Sequence, residues 1–151
     1  MTRSRMAIPA TAVCLAATLA LGACSSGGGS KEKSEVQNFL NVLDAAVRTG
    51  NTDLRLAHLN PVVISRYGEP QCRDFLAGQH DKTRRDQVTS VGKPESFEYA
   101  TDNQAVVIPD AIPVQVRETS KGKKGDRNIR LARVNGQLTY FIDCGGPLVR
   151  Q

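Results

Sequence analysis

The sequence predicts an α+β domain, with N-terminal helices packed on one face of a curved antiparallel sheet. Three observations carry this. Apolar residues recur at helical spacing up to about Gly78, and with a period of two from about Arg84 onward. Helices precede strands with no alternation between them, which argues against a parallel sheet. Asn135-Gly136 is a strong hairpin signal inside the strand-rich half. With 40% hydrophobic and 23% charged residues among 151, the composition is that of a globular chain. Residues 34–151 are enough for one core, and no internal repeat is visible.

The first 23 residues read as an address. Arg3 and Arg5 precede an uncharged run from Met6 to Leu21. A basic start, a short apolar stretch and small residues after it describe a secretory signal peptide. An uncleaved span is the competing reading, but the run is shorter than the roughly 20 residues a membrane helix needs and contains Pro9. Arg3 and Arg5 are not adjacent, so twin-arginine export is not indicated. The run ends in Leu21-Gly22-Ala23-Cys24, which resembles the lipobox of bacterial lipoproteins. The resemblance implies a diacylglyceryl thioether on Cys24, cleavage just before it, and acylation of the new amino end. Two acyl chains anchor stably where one does not, so the implied location is the extracytoplasmic face of the cell membrane. The implied partner is membrane lipid, and Cys14 leaves with the signal peptide. Cleavage by an ordinary signal peptidase is the alternative.

Residues 24–33 read as a tether, because Ser25–Lys33 is rich in Gly and Ser. Helix one is expected from Ser34, where Ser34 and Gln37 fit a capping box. Val36, Phe39, Leu40, Leu43 and Val47 form its apolar stripe, and Gly50 ends it. Asn51-Thr52-Asp53 starts a second helix that Asn60-Pro61 ends. The stretch 62–67 is short, apolar and ambiguous between helix and strand. Pro70 opens a third helical stretch containing Cys72, Phe75 and Leu76, closed by Gly78.

In the second half, Phe97 and Tyr99 alternate with polar neighbours. Val106, Ile108, Ile112, Val114 and Val116 share one parity in a long strand, with Pro109 and Pro113 on the other. Those prolines predict an edge position or a bulge. Lys121–Arg127 reads as a loop, Ile129 and Leu131 alternate again, and Leu138, Tyr140, Ile142 and Cys144 follow the Asn135-Gly136 turn.

The charge is mild. Twenty Lys plus Arg face fifteen Asp plus Glu, and removing the first 23 residues takes two arginines and no acid, so the excess falls from +5 to +3. With no Trp and an exported chain, a nucleic-acid partner is not expected. Two His and no Cys-x-x-Cys argue against a metal site, and no cofactor motif is present. Apart from Cys24, two cysteines remain in the exported part, Cys72 and Cys144. An oxidising compartment favours pairing them, against the alternatives of two free buried thiols or a metal pair.

The order of elements resembles the NTF2-like (cystatin-like) cone. It comprises an amphipathic helix ending in Arg48-Thr49-Gly50-Asn51-Thr52-Asp53, two further short helices and a bent antiparallel sheet. In particular it looks like the exported lipoproteins that carry this cone behind a lipobox. Many of those have cysteines at the third helix and at the end of the last strand, matching Cys72 and Cys144. The resemblance spans about Ser34 to Gly145 and implies a pocket between helix one and the concave sheet. The pocket serves in that family as a ligand site, as an isomerase or dehydratase site, or not at all, so fold alone does not choose a function. The lining expected here is Val106, Ile108, Ile112, Val114 and Tyr140.

No residue set reads as catalytic. His58 and His80 read as satisfied or solvated, Asp44 as a surface acid, Asp110 as turn chemistry and Tyr140 as a core aromatic. Lys121, Lys123, Lys124 and Arg127 read as a solvated hairpin tip, or as a contact for anionic headgroups or wall polymers. Gly122 and Gly125 form no phosphate cradle, since no helix follows a strand there. The expected function is a membrane-anchored, non-catalytic binding or interaction module for a small hydrophobic ligand or an envelope protein. A structural envelope protein and an isomerase- or hydratase-like enzyme are the alternatives.

Overall fold

The computed structural model describes residues 28–101 and 104–145. Cys24, the rest of the lipobox and the signal segment lie outside the described residues. Four helices, α1 (Gly28–Thr49), α2 (Thr52–Ala57), α3 (Pro61–Tyr67) and α4 (Glu69–Ala77), precede five strands. These are β1 (Arg85–Val91), β2 (Glu95–Thr101), β3 (Gln104–Ser120), β4 (Lys123–Val134) and β5 (Gln137–Tyr140). Every strand pair is antiparallel, and the helices pack on an open sheet. The α+β class is therefore the one the sequence predicts.

Helix α1 begins six residues before Ser34, so 28–33 are helical rather than tether. Lys33 Nζ donates to the Thr89 carbonyl (2.9 Å), and the Glu35 carboxylate receives two bonds from Arg133 (2.7 and 2.8 Å). Both contacts fasten the first turns to strands. Gln37 is consequently not part of a cap but faces β1. Its Oε1 accepts from Val88 N (2.7 Å) and its Nε2 donates to Asp86 O (2.8 Å).

Pro61 starts a helix instead of ending one. Asn60 caps α3 by accepting from Val62 N (3.0 Å), and proline at the first helical position gives up no needed donor. This resolves 62–67 as helix. Asn51 caps α2 through Leu54 N (3.0 Å), as expected.

The 17-residue β3 organises the sheet. β1 and β2 follow one another along it, against Val114–Thr119 and Gln104–Ala111, while β4 pairs with Ile112–Ser120. Gly92 joins β1 to β2 with its N–H on the Pro113 carbonyl (2.8 Å). A Cβ there would lie 2.6 Å from Pro113 Cγ, so the close approach requires glycine. Phe97 pairs Ile108 but Glu95 pairs Ala111, a register shift at Pro109-Asp110. This is the bulge those prolines predict.

The basic stretch 121–127 is not a loop. Lys121 and Gly122 alone make the turn, both with positive φ (49° and 75°), and β4 resumes at Lys123. Asn135-Gly136 repeats the geometry (51° and 81°), as a type I′ turn demands.

The core has two parts. Val36, Leu40, Val88, Ile112, Val114, Val116, Leu131 and Leu138 fill the space between α1 and the sheet. Leu59, Val63, Tyr67, Cys72, Tyr99 and Cys144 join the later helices to β2 and the C-terminal segment. Cys72 and Cys144 form a disulfide (Cα–Cα 4.9 Å) across 72 residues of sequence. Tyr99 Oη donates to Ile142 O (3.0 Å), and Gln71 bonds the Gly145 carbonyl, so the same segment is held at three points.

Replacing both cysteines by alanine is expected to lower the unfolding free energy by about 4 kcal/mol, the loop-closure value for a bridge of this span. Urea titration with and without reductant checks this. Wild type should lose a similar amount on reduction, and the double variant should not respond.

Candidate functional site

A cavity of about 320 Å³ opens beside the first core. Leu40, Leu43, Asp44 and Val47 of α1 form one wall, and Arg127, Ile129 and Arg130 of β4 with Tyr140 of β5 form another. Arg55 of α2, residues between Gly78 and Asp86, the Ser120-Lys121 pair and the Phe141-Ile142 pair close the remainder.

Of the expected lining residues, Tyr140 alone borders this cavity. Val106 is 37% exposed and Ile112 and Val114 are buried core. Ile108 packs with the second cluster. The shared parity of these residues presumed an unbroken strand. The bulge interrupts alternation, so the run does not line one continuous inner face: Val106 is exposed while Ile112, Val114 and Val116 are core. Ile108, Ile112 and the exposed Asp110 border a separate hollow with Pro94 and Glu32.

Asp44 is not a surface acid. It is 4% exposed and, with the buried Asp86 (6% exposed), forms an ion cluster that runs outward through the half-buried Arg84 and Glu118 to the exposed Arg127. Asp44 Oδ2 accepts from Asp86 N (2.6 Å). Arg84 reaches Asp44 (3.4 Å), Asp86 (2.9 Å) and Glu118. Arg127 reaches Asp86 (3.0 Å) and Glu118 (2.8 Å). Burial pushes the Asp44 carboxyl above its ordinary value, outweighing the Asp86 N–H and the nearby arginines. One signal was available in the sequence. Asp44 lies four residues after Leu40 and three before Val47, on the apolar stripe itself. Arg84 and Asp86 carried no comparable signal, since their partners are distant in sequence.

Ser120, His80 and Asp81 meet at the cavity rim, the residue types of a hydrolytic triad. Their bonding is different. Ser120 Oγ donates directly to Asp81 Oδ2 (3.0 Å), which also accepts from Lys121 N (2.8 Å). Asp81 Oδ1 accepts from Thr83 N (2.9 Å) and Oγ1 (2.7 Å). His80 Nε2 donates to the Arg48 carbonyl (2.9 Å). Asp81 therefore braces the Lys121-Gly122 turn. The Thr83 hydroxyl and backbone donors hold its carboxyl well below the usual range.

Tyr140 Oη donates to the Arg55 carbonyl (3.1 Å), and burial pushes its pKa up to about 12. It stays protonated at ordinary pH. His58 stacks edge-on to Phe39 (5.4 Å) as a packing residue. Among the described residues no group of three or more His, Cys, Asp or Glu could hold a metal ion.

Arg55 is 6% exposed. Its Nη1 donates to the carbonyls of Leu76 (2.6 Å) and Gln79 (3.1 Å), and among the described residues no carboxylate pairs with it. Burial, with Arg84 nearby, lowers its pKa. Three buried side-chain atoms of the described residues lack a hydrogen-bond partner: Arg84 Nε, Asp86 Oδ1 and Arg130 Nε. All three residues line this cavity.

The site thus belongs to an α+β domain and is a cavity with apolar and charged groups in its walls. The chain matches no known family model, no curated protein and no solved structure.

The ion cluster predicts a pH signature. The folded state keeps the Asp44 proton to higher pH than the unfolded chain. Its contribution to stability therefore falls as pH rises from the ordinary carboxylate value through the raised one, and the cost is full above that. Asp44→Asn should remove this component, so its stability relative to wild type should increase with pH across the window. Arg84→Gln should cost about 3 kcal/mol by leaving buried carboxylates uncompensated and should steepen the fall. Urea midpoints at successive pH values between 4 and 7 (about the span where carboxylates with raised pKa titrate) read both effects.

Proposed function

We propose that the protein is a lipid-anchored, extracytoplasmic binding module without catalytic activity of its own. Cys24, acylated in the manner of the lipobox it resembles, holds it to membrane lipid. The domain behind it, which resembles the NTF2-like cone, offers its cavity to a small partly apolar ligand.

The observation that carries this reading is the cavity wall. Leu40, Leu43, Val47 and Ile129 supply apolar surface, and a few buried polar groups converge on the same space. That combination characterises small-molecule sites of this size. The chemically capable groups on its rim are engaged in structure: Ser120 on Asp81, His80 on the Arg48 carbonyl, Tyr140 on the Arg55 carbonyl. The Cys72–Cys144 bridge accords with an oxidising compartment. A purely structural envelope role predicts a broad exposed apolar patch. The large apolar side chains exposed among the described residues are Val42, Val106 and Val107, too few for such a patch.

Growth with labelled palmitate tests the anchor. Wild type should take up label and partition into detergent. Cys24→Ser should lose both properties while keeping the melting temperature of its folded domain. Label retained by Cys24→Ser would refute the anchor. Native mass spectrometry of the protein released from membranes tests the binding role, with a co-purifying small molecule as the expected result.

A further inference from the structure

We infer that the cavity is a receptor for a small amphiphile bearing a single carboxylate. Arg55 and Arg130 read the carboxylate, and Leu40, Leu43, Val47 and Ile129 receive the apolar body. The inference rests on the binding-module reading and names its ligand class.

Arg55 is the starting point. A buried cation without a counter-charge is strongly unfavourable, yet this guanidinium is enclosed on the cavity wall with two carbonyls as its hydrogen-bond acceptors. A guanidinium has five N–H donors in a rigid fork; Nη1 is committed to those carbonyls, and the Tyr140 hydroxyl is a further hydrogen-bond partner of the group. The other four basic residues of the lining are Arg84, Lys121, Arg127 and Arg130. Arg84 and Arg127 are already bound to Asp86 and Glu118. Arg130 is divided. Its Nη2 donates to Glu95 (2.9 Å) and its guanidinium carbon lies 5.8 Å from the Phe97 ring centre, while its buried Nε has no partner. Arg55 thus keeps N–H donors on this cavity beyond the bonds it already makes, and Arg130 adds a second guanidinium to the same wall. A carboxylate oxygen supplies an acceptor with the added strength of a charged pair.

The acids on the same wall limit the charge to one. Asp44 and Asp86 are both buried there, and a dianion would meet their repulsion in a poorly solvated space. This favours a carboxylate over a phosphate monoester. The apolar wall requires the rest of the ligand to be hydrocarbon or aromatic. The volume of about 320 Å³ restricts it to a compact body rather than a diacyl lipid.

The test uses the full chain in lipid nanodiscs and ligand-observed fluorine NMR with three probes: fluorophenylpropionate, the corresponding fluorophenylpropanol, and fluorophenyl phosphate. The acid should bind at least about tenfold more tightly than the alcohol, as a charge-assisted contact implies, and more tightly than the phosphate. Arg55→Gln should abolish the preference for acid over alcohol, and Arg55→Lys should retain part of it. An Arg55 that merely braces the end of α4 would lower the melting temperature of Arg55→Gln without altering that preference, which overturns the inference. If Arg55→Gln does not fold, Leu43→Trp, which fills the cavity, decides. Loss of acid binding with an unchanged melting curve supports the site, and undiminished binding overturns it. Equal binding of acid and alcohol by wild type, or tighter binding of the phosphate, overturns the carboxylate receptor but leaves the binding module standing. Failure of all three probes together with an empty protein in native mass spectrometry overturns both.

Discussion

Helix α1 lies along β1 and serves its open edge. Lys33, Gln37, Asp44 and Arg48 stand on one side of the helix. They bond, in order, to Thr89 O, to Val88 N and Asp86 O, to Asp86 N, and to Arg84 O. Four side chains therefore do the work of a neighbouring strand, running antiparallel to β1. An unpaired edge is both a desolvation problem for the backbone and a template for aggregation, and covering it with a helix solves both. The opposite edge is closed by chain rather than side chains. Asn60 N donates to Tyr140 O, and Tyr140 N donates to His58 O, so the link between α2 and α3 pairs with β5.

This arrangement explains why charge is buried where an apolar residue would pack more cheaply. A leucine at position 44 could fill space, but it could not accept the Asp86 N–H. Once Asp44 is enclosed, its charge requires Arg84. Arg84 in turn gathers Asp86 and Glu118, which bring in Arg127. The cluster occupies volume between α1 and the sheet that hydrophobic side chains would otherwise close, and the cavity lies against it. A cavity with buried ionic groups in one wall and Leu40, Leu43 and Ile129 in the rest follows from sealing an edge with a carboxylate.

The parts of this fold that were legible in the sequence are those decided locally. The α1 stripe from Val36 to Val47, the Asn51 cap, the Asn135-Gly136 turn and the bulge at Pro109 depend on neighbours within a few residues. The Cys72–Cys144 pair was legible because two cysteines allow one bridge. What escaped is decided at long range. Lys121-Gly122 lacks the Asn or Asp of a standard hairpin dipeptide, and its turn is held by Asp81, forty residues earlier. The start of α1 depends on Arg133 and Thr89. The parity of Val106 and Ile108 was readable, but the bulge that cancels it acts on the whole strand. The site escaped almost entirely, because Arg55 and Asp86 acquire meaning from burial, and burial of a charge is what sequence patterning treats as least expected.

The revised start of α1 also changes the geometry of the proposed anchored form. With the helix beginning at Gly28, three residues of chain separate it from Cys24, a span of at most about 14 Å. In the proposed anchored form the N-terminal end of α1 would therefore stay close to the bilayer surface. The cavity is lined by Leu40 to Val47, some 12 to 19 residues further along, which at 1.5 Å per residue is roughly 18 to 28 Å of helix. If α1 stood upright on the proposed anchor, the cavity would lie that far from the bilayer, and a lipid would have to leave the membrane to enter it, at a cost of about 0.8 kcal/mol for each methylene exposed. A compact carboxylate amphiphile already dispersed in water meets no such barrier. In that orientation the distance between the proposed anchor and the cavity would disfavour a bilayer lipid, in keeping with the compact ligand inferred above.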